Sequence, residues 1–269
     1  MSEEKVFVFS PIGYIRSENQ YRFEAPRQAV YSKKGAFLEF LPDDRFAVAA
    51  ADLRGFSYVW IIFCFHLNLG KEWKPKVRPP VSADGGRYGV FSTRSPHRPN
   101  PIGMSCVALS AIEKRGLLLG PCDLLDGTPV LDVKPYIPEA DAFPAARTGW
   151  RDSIRQENFW QVSFSDRARE KASWIHQTAG LDLLDFCALQ LGYEPLNAKR
   201  KRVRALAESE GLYSIGCRTW RCVFTLDRAR HGVVVSDILS NYLPEELLPG
   251  MPDPYADKDF HRAFLRQAW

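Results

Sequence analysis

Tyr58-Val-Trp-Ile-Ile-Phe-Cys-Phe-His66 is an unbroken run of β-branched and aromatic residues, and its reading decides the class of this chain. Val and Ile are stiff at χ1 and aromatic rings pack well on a pleated surface, so the run is expected to be a buried strand. Similar short apolar segments flank it on both sides: 6–15, 37–41, 87–93, 105–113, 117–125 and 129–133. Lys114-Arg115-Gly116 between two of them reads as a hairpin turn, and Asp126-Gly127 as a second turn. Many short strands with regular turns indicate a mainly β fold with a closed or sandwich-like N-terminal domain. No G-x-G-x-x-G opens a βαβ unit, so a Rossmann nucleotide site is not expected.

Composition narrows the classes further. The chain has 269 residues, 45% of them hydrophobic and 25% charged, which is ordinary globular usage with ample core. A net charge of +4 leans only slightly toward a nucleic-acid partner. The longest apolar run, Val59 to Phe65, is far too short to span a membrane, and Met-Ser-Glu-Glu-Lys is too polar to begin a signal peptide. Six cysteines contain no C-x-x-C pair, so buried thiols in a cytoplasmic protein are expected rather than a zinc site.

Beyond the β-domain the pattern changes. Glu139 to Glu157 is poor in periodic apolar residues, which sets boundaries at 1–140, a linker at 141–158 and a smaller α+β domain at 159–269. Ala168 to Leu191 reads as one amphipathic helix, and 219–224 with 232–238 as a hairpin. Between them lies Lys199-Arg200-Lys201-Arg202-Val203-Arg204, a basic run that suits either phosphate contact or a solvated face.

The chemistry concentrates in Tyr88-Gly-Val-Phe-Ser-Thr-Arg-Ser-Pro-His-Arg-Pro-Asn-Pro-Ile-Gly103. Prolines at 96, 99 and 101 fix φ, remove donors and push their neighbours toward extended geometry. The result is a rigid loop presenting Arg94, His97, Arg98 and Asn100 to an anionic or nucleotide-like ligand. Three more clusters stand at predicted strand ends: Pro26-Arg27-Gln28, His66, and Asp123 with Asp126. Each has a plain structural reading taken singly, as turn, cap or paired residue. The joint pattern is more telling, because polar residues at strand ends beside inflexible loops are where a β-scaffold usually puts a binding site. Neither a metal-ligand spacing nor a nucleophile elbow accompanies them, so positioning and electrostatics are expected to carry the chemistry.

Gly89 to Gly103 resembles the signature of the TrmO (TsaA-like, YaeB) family. Pro11 to Ser17, Leu53 to His66, Val77-Arg-Pro-Pro80 and Asp126 to Tyr136 are similar to the same family, in the right order, over residues 6–140. The resemblance implies an S-adenosylmethionine-dependent tRNA methyltransferase built on a β-barrel, acting as a homodimer. Its substrate would be N6-threonylcarbamoyladenosine (t6A) at position 37 of the tRNA anticodon loop. By position, cofactor contacts are implied at Pro26, Arg27, Gln28, His66, Leu67, Arg94, Met104, Asp123, Leu124, Leu125 and Asp126; Met104 by itself reads as a core residue. Arg27 or Arg94 would hold the cofactor's carboxylate, and Asp126 or His66 would take the acceptor nitrogen's proton. Arg98 is a spare cation for the threonyl carboxylate, and Lys199, Arg200, Lys201 and Arg202 are candidates for the tRNA. Bacterial relatives carry an Asp-Pro-Arg-Pro-like segment where this chain reads Tyr193-Glu-Pro-Leu-Asn197. The other class kept open is a non-catalytic cofactor- and RNA-binding regulatory module; a metal-dependent hydrolase lacks the ligands.

Overall fold

Val59, Ile61 and Phe63 turn inward and are buried, while Trp60, Ile62 and Cys64 between them remain half-exposed. That alternation is the signature of a barrel wall, where every second side chain fills the interior. The computed structural model describes residues 7–82, 85–154, 159–197, 202–207 and 211–269. It divides into two units, Met1–Ser153 and Ile154–Trp269.

The first unit is built on β1 (Gly13–Ser17), β2 (Ala36–Phe40), β3 (Tyr58–Cys64), β6 (Ile102–Glu113), β7 (Gly116–Leu119) and β8 (Pro129–Pro135). They close into a barrel in the order β1-β2-β7-β6-β3-β8, every pairing antiparallel. Closure leaves no edge unpaired. Ile15, Leu38, Val59, Ile61, Phe63, Val107, Leu117, Leu119, Cys122, Leu124 and Val130 fill it. Gly103 of β6 lies against the Phe63 ring, which a Cβ there would overlap. A two-stranded ribbon of β4 (Lys76–Val77) and β5 (Tyr88–Gly89) stands apart from the barrel sheet.

Several expectations need correction. The strand expected at 87–93 ends at Gly89, and Val90–Ser92 form a 3-10 turn. The segment 7–12 is not strand, so β1 begins only at Gly13. A short helix, α1 (Asp44–Ala50), was not expected; Asp43 caps it, its carboxylate accepting the Arg45 N–H at 3.0 Å. Cys64 and Cys106 lie on the outer barrel face rather than in the core. Within the expected linker, α2 (Pro138–Asp141) ends and Gly149–Ser153 form a 3-10 turn.

The second unit carries a sheet ordered β10-β11-β12-β13-β9: β9 (Gln161–Phe164), β10 (Val203–Ala207), β11 (Leu212–Cys217), β12 (Trp220–Asp227) and β13 (Gly232–Ser240). The expected hairpin is β12–β13, and β9 joins β13 in parallel. The expected single helix is two, α3 (Asp166–Ala179) and α4 (Leu183–Leu191). The break is Gly180, whose φ of +65° ends α3 in the left-handed region that glycine adopts without strain. A final helix, α5 (Lys258–Leu265), packs His261 flat on Trp220 at 3.7 Å. His261 also lies 2.8 Å from Ser240 Oγ and 2.9 Å from Thr219 Oγ1, while Tyr242 donates to Asp257. This set has the residue types of a hydrolytic triad, yet His261 is wholly buried and its ring nitrogens are engaged, so it acts as a structural clasp.

Candidate functional site

The rigid loop gathers two groups of predicted residues. At one end Arg94, exposed, lies close enough to Asp123 and Cys106 for its charge to bear on both. Asp123 follows the buried Cys122, and its carboxylate accepts the hydroxyl of Ser105 on β6. Burial drives the Asp123 pKa above the ordinary carboxylate range; the Ser105 hydrogen bond and the Arg94 charge oppose the rise. Met104, next to Ser105, points outward and is 46% exposed. Read as core from its apolar neighbours, it belongs to the outer face because Gly103 and Ser105 are the inward pair.

At the other end of the loop stands His97. Its Nδ1 lies 3.3 Å from the buried Asn68 side-chain amide, and its carbonyl accepts the Lys74 N–H. Asn68 closes the 3-10 turn His66–Asn68 that follows β3. His66 is half-buried, and desolvation depresses its pKa, against a hydrogen bond to the Cys64 backbone and with the Arg22 charge in the same direction. Burial likewise lowers His97, with Lys74, Arg22 and Lys71 adding to the effect. Arg22 is the residue that sequence reasoning missed: its guanidinium donates to the Leu67 carbonyl and its charge reaches both imidazoles. No spacing signals a contact made to a backbone atom 45 residues away.

Asp126 belongs to a third group. One of its oxygens accepts the Ser17 N–H at 3.1 Å, and its own N–H binds the Asn19 carbonyl at 2.8 Å. The Ser17 hydroxyl donates to Leu124, and Gly127 turns the chain with φ at +72°. The amide nitrogen of Asn19 is buried without a partner beside this turn. Buried Leu124 and half-buried Leu125 connect Asp123 to Asp126. Pro26, buried, leads through Arg27 and Gln28 into a 3-10 turn at Ala29–Tyr31 that packs on β6. Arg98 braces its own loop, donating to the carbonyls of Val90 and Thr93 at 3.1 and 2.8 Å and lying over the Phe91 ring. Lys199, Arg200 and Lys201 lie outside the described residues; Arg202 adopts φ of +52° ahead of β10, and its carbonyl accepts from Arg221.

The residue types present would suit the implied cofactor. Arginines suit its carboxylate, two acidic residues its ammonium and hydroxyls, and exposed Leu67 and Met104 the face of a base.

Residues 14–142 match the family model of the tRNA-methyltransferase O N-terminal domain. A tRNA (adenine(37)-N6)-methyltransferase of Escherichia coli is 44% identical over 153 residues, 55% of this chain and 65% of that protein. A Pseudomonas aeruginosa protein provisionally named an S-adenosylmethionine-dependent methyltransferase is 44% identical over 186 residues, 67% of this chain and 79% of its own. The crystal structure of TrmO from Pseudomonas aeruginosa superposes with a TM-score of 0.62 at 32% identity, covering 88% of this chain and 99% of that one.

Proposed function

The chain belongs to the tRNA-methyltransferase O family, and from that premise we infer that it transfers a methyl group from S-adenosylmethionine to N6 of adenine 37 in tRNA. The observation that carries this reading is the loop Arg94–Asn100, which joins the Arg94–Asp123 group to the His66–His97 group inside the matched span.

S-adenosylmethionine, when bound, supplies an electrophilic methyl on a sulfonium. The chain's residues hold and orient. Arg94 or Arg27 binds the carboxylate, and Asp123 accepts from the ammonium, its charged form favoured once a cation stands beside it. Holding donor and acceptor in line is worth up to about 7–11 kcal/mol of barrier. The acceptor nitrogen must also lose a proton. Depressed by burial, His66 is neutral near pH 7 and has the right form to take it. Asp126 already spends an oxygen on Ser17, which favours His66 of the two.

The finer substrate we propose is t6A, whose urea-like N6 needs that base and whose threonyl carboxylate meets the cations Arg22 and Lys71 near His97. We propose a cytoplasmic enzyme and a homodimer, the exposed apolar Ile102 and Met104 on the outer barrel face supporting the second of these. Asp126 is then left to the cofactor's hydroxyls, and Arg202 to the tRNA. The deciding experiment is transfer of labelled methyl to total tRNA from a strain lacking this protein, with mass analysis of nucleosides. A product of t6A plus one methyl is expected. Measurable cofactor binding without any labelled nucleoside would instead mean the non-catalytic module.

A further inference from the structure

Between the His66 turn and the β4–β5 ribbon runs Lys71-Glu-Trp-Lys-Pro-Lys-Val-Arg78, which none of the roles above uses except for one of its charges. All of it but Val77 is exposed. Lys71, Lys74, Lys76 and Arg78 are joined by Arg87, which reaches across the ribbon to the Lys76 carbonyl at 3.0 Å. Among the described residues none of these five cations is paired with a carboxylate, and Glu72 is the one acid in the strip. Trp73 is 43% exposed and makes no ring contact or hydrogen bond among the described residues. Glu72, Trp73, Lys74, Pro75, Lys76 and Arg87 line an open cavity of about 500 Å³.

An exposed indole sharing an open cavity with Lys74, Lys76 and Arg87 is poor as a core element and apt as a platform for one flat, negatively flanked group. Every nucleobase offers a π-face, and the phosphates on either side of it would meet the lysines. The cavity's position ties it to the chemistry: the Lys74 N–H binds the His97 carbonyl and the Val90 N–H binds the Pro75 carbonyl, so the strip is fastened to the signature loop.

We propose that residues 71–78 with Arg87 form a second substrate site, in which an unpaired nucleotide of the tRNA stacks on Trp73 and its flanking phosphates lie on Lys74, Lys76 and Arg87. The site rests on the methyltransferase reading. Its occupant is a nucleotide other than the methyl acceptor, held a short chain distance from it. Stacking secures the nucleotide without reading its identity, and the cations make its grip dependent on salt.

The test uses the full-length enzyme and tRNA from a strain lacking it. Trp73→Ala should raise the KM for tRNA by about ten-fold or more, the loss typical of a stacked base, with Trp73→Phe close to wild type. Lys74→Gln, Lys76→Gln and Arg87→Gln should each flatten the dependence of log KM on log salt by about 0.7, the share of one single-strand phosphate. Cofactor affinity and melting temperature should not move in any of them. A KM for Trp73→Ala within two-fold of wild type, together with unchanged salt slopes in the three cation variants, would overturn the site. If the wild-type protein methylates no tRNA, the methyltransferase reading fails on its own. Filter binding of the same tRNA then decides the site: weaker binding by Trp73→Ala sustains it, and equal binding ends it.

Discussion

Asp123 and His66 are both shifted by burial, and the shifts run in opposite senses. For Asp123 the folded pKa is raised above the ordinary 3.8, so the stability it contributes is complete below that value and is lost as pH rises through the folded one. At neutral pH its charge therefore strains the fold. Asp123→Asn keeps an oxygen for the Ser105 hydroxyl and sheds the charge. It should melt higher than wild type at pH 7, converge with it near pH 4, and bind S-adenosylmethionine more weakly, as calorimetry and equilibrium dialysis would show. For His66 the folded pKa lies below 6.5, so its contribution is complete above 6.5 and is lost as pH falls through the folded value. A neutral ring is also the form that accepts a proton. Single-turnover methylation at saturating cofactor should thus keep its rate down to below pH 6.5, then fall, and His66→Gln should remove that acid limb. An identical limb in His66→Gln would take the base role from His66.

The loop from Arg94 to Gly103 owes its rigidity to more than its prolines. Arg98 ties it to the 3-10 turn before it through two carbonyls and a ring face. Arg98→Ala leaves those carbonyls without the guanidinium; because the site is partly exposed, a cost of about 1 kcal/mol in stability is expected. The larger effect should be on order: amide exchange across 92–97 should quicken, and cofactor affinity should fall because Arg94 loses its fixed placement. Arg98→Lys, with one compact ammonium in place of a fork, should not restore it. Much of this element was legible in advance, since three prolines admit few conformations. Tyr58–Cys64 was legible because β-branched and aromatic side chains favour strands whatever surrounds them. What stayed hidden depends on partners distant in sequence. The outward face of Met104 is set by the pairing of β6 with β3, where Met104 stands opposite Ile62. Arg22 reaches a backbone atom of the His66 turn, and α1 buries only Ala50, too little for an apolar period to show. Gly180 divides an apolar pattern that otherwise runs on through α3 and α4.

Each unit encloses its own core: the barrel buries Ile15, Leu38, Ile61 and Leu117, and the second unit buries Ile175, Leu191, Trp220 and Phe224. The residues proposed for the cofactor all lie in the first, and the basic run beginning at Lys199 lies in the second. Two cores of this kind can melt separately, and a ligand stabilises only the unit that binds it, by an amount set by its concentration over its Kd. At a hundred-fold excess over Kd that amount is about 2.7 kcal/mol. Scanning calorimetry should therefore resolve two transitions, of which S-adenosylmethionine raises one and leaves the other in place. Asp123→Asn should shift the cofactor-sensitive transition alone. Neutralising Lys199 to Arg202 should leave both transitions and the cofactor response untouched while flattening the salt dependence of tRNA binding. An unchanged salt slope would return that run to a solvated face, with the barrel's own strip at 71–78 left as the tRNA grip. A single transition raised as a whole by the cofactor would mean that the two cores unfold as one, and that occupancy of the barrel is felt where the tRNA is held.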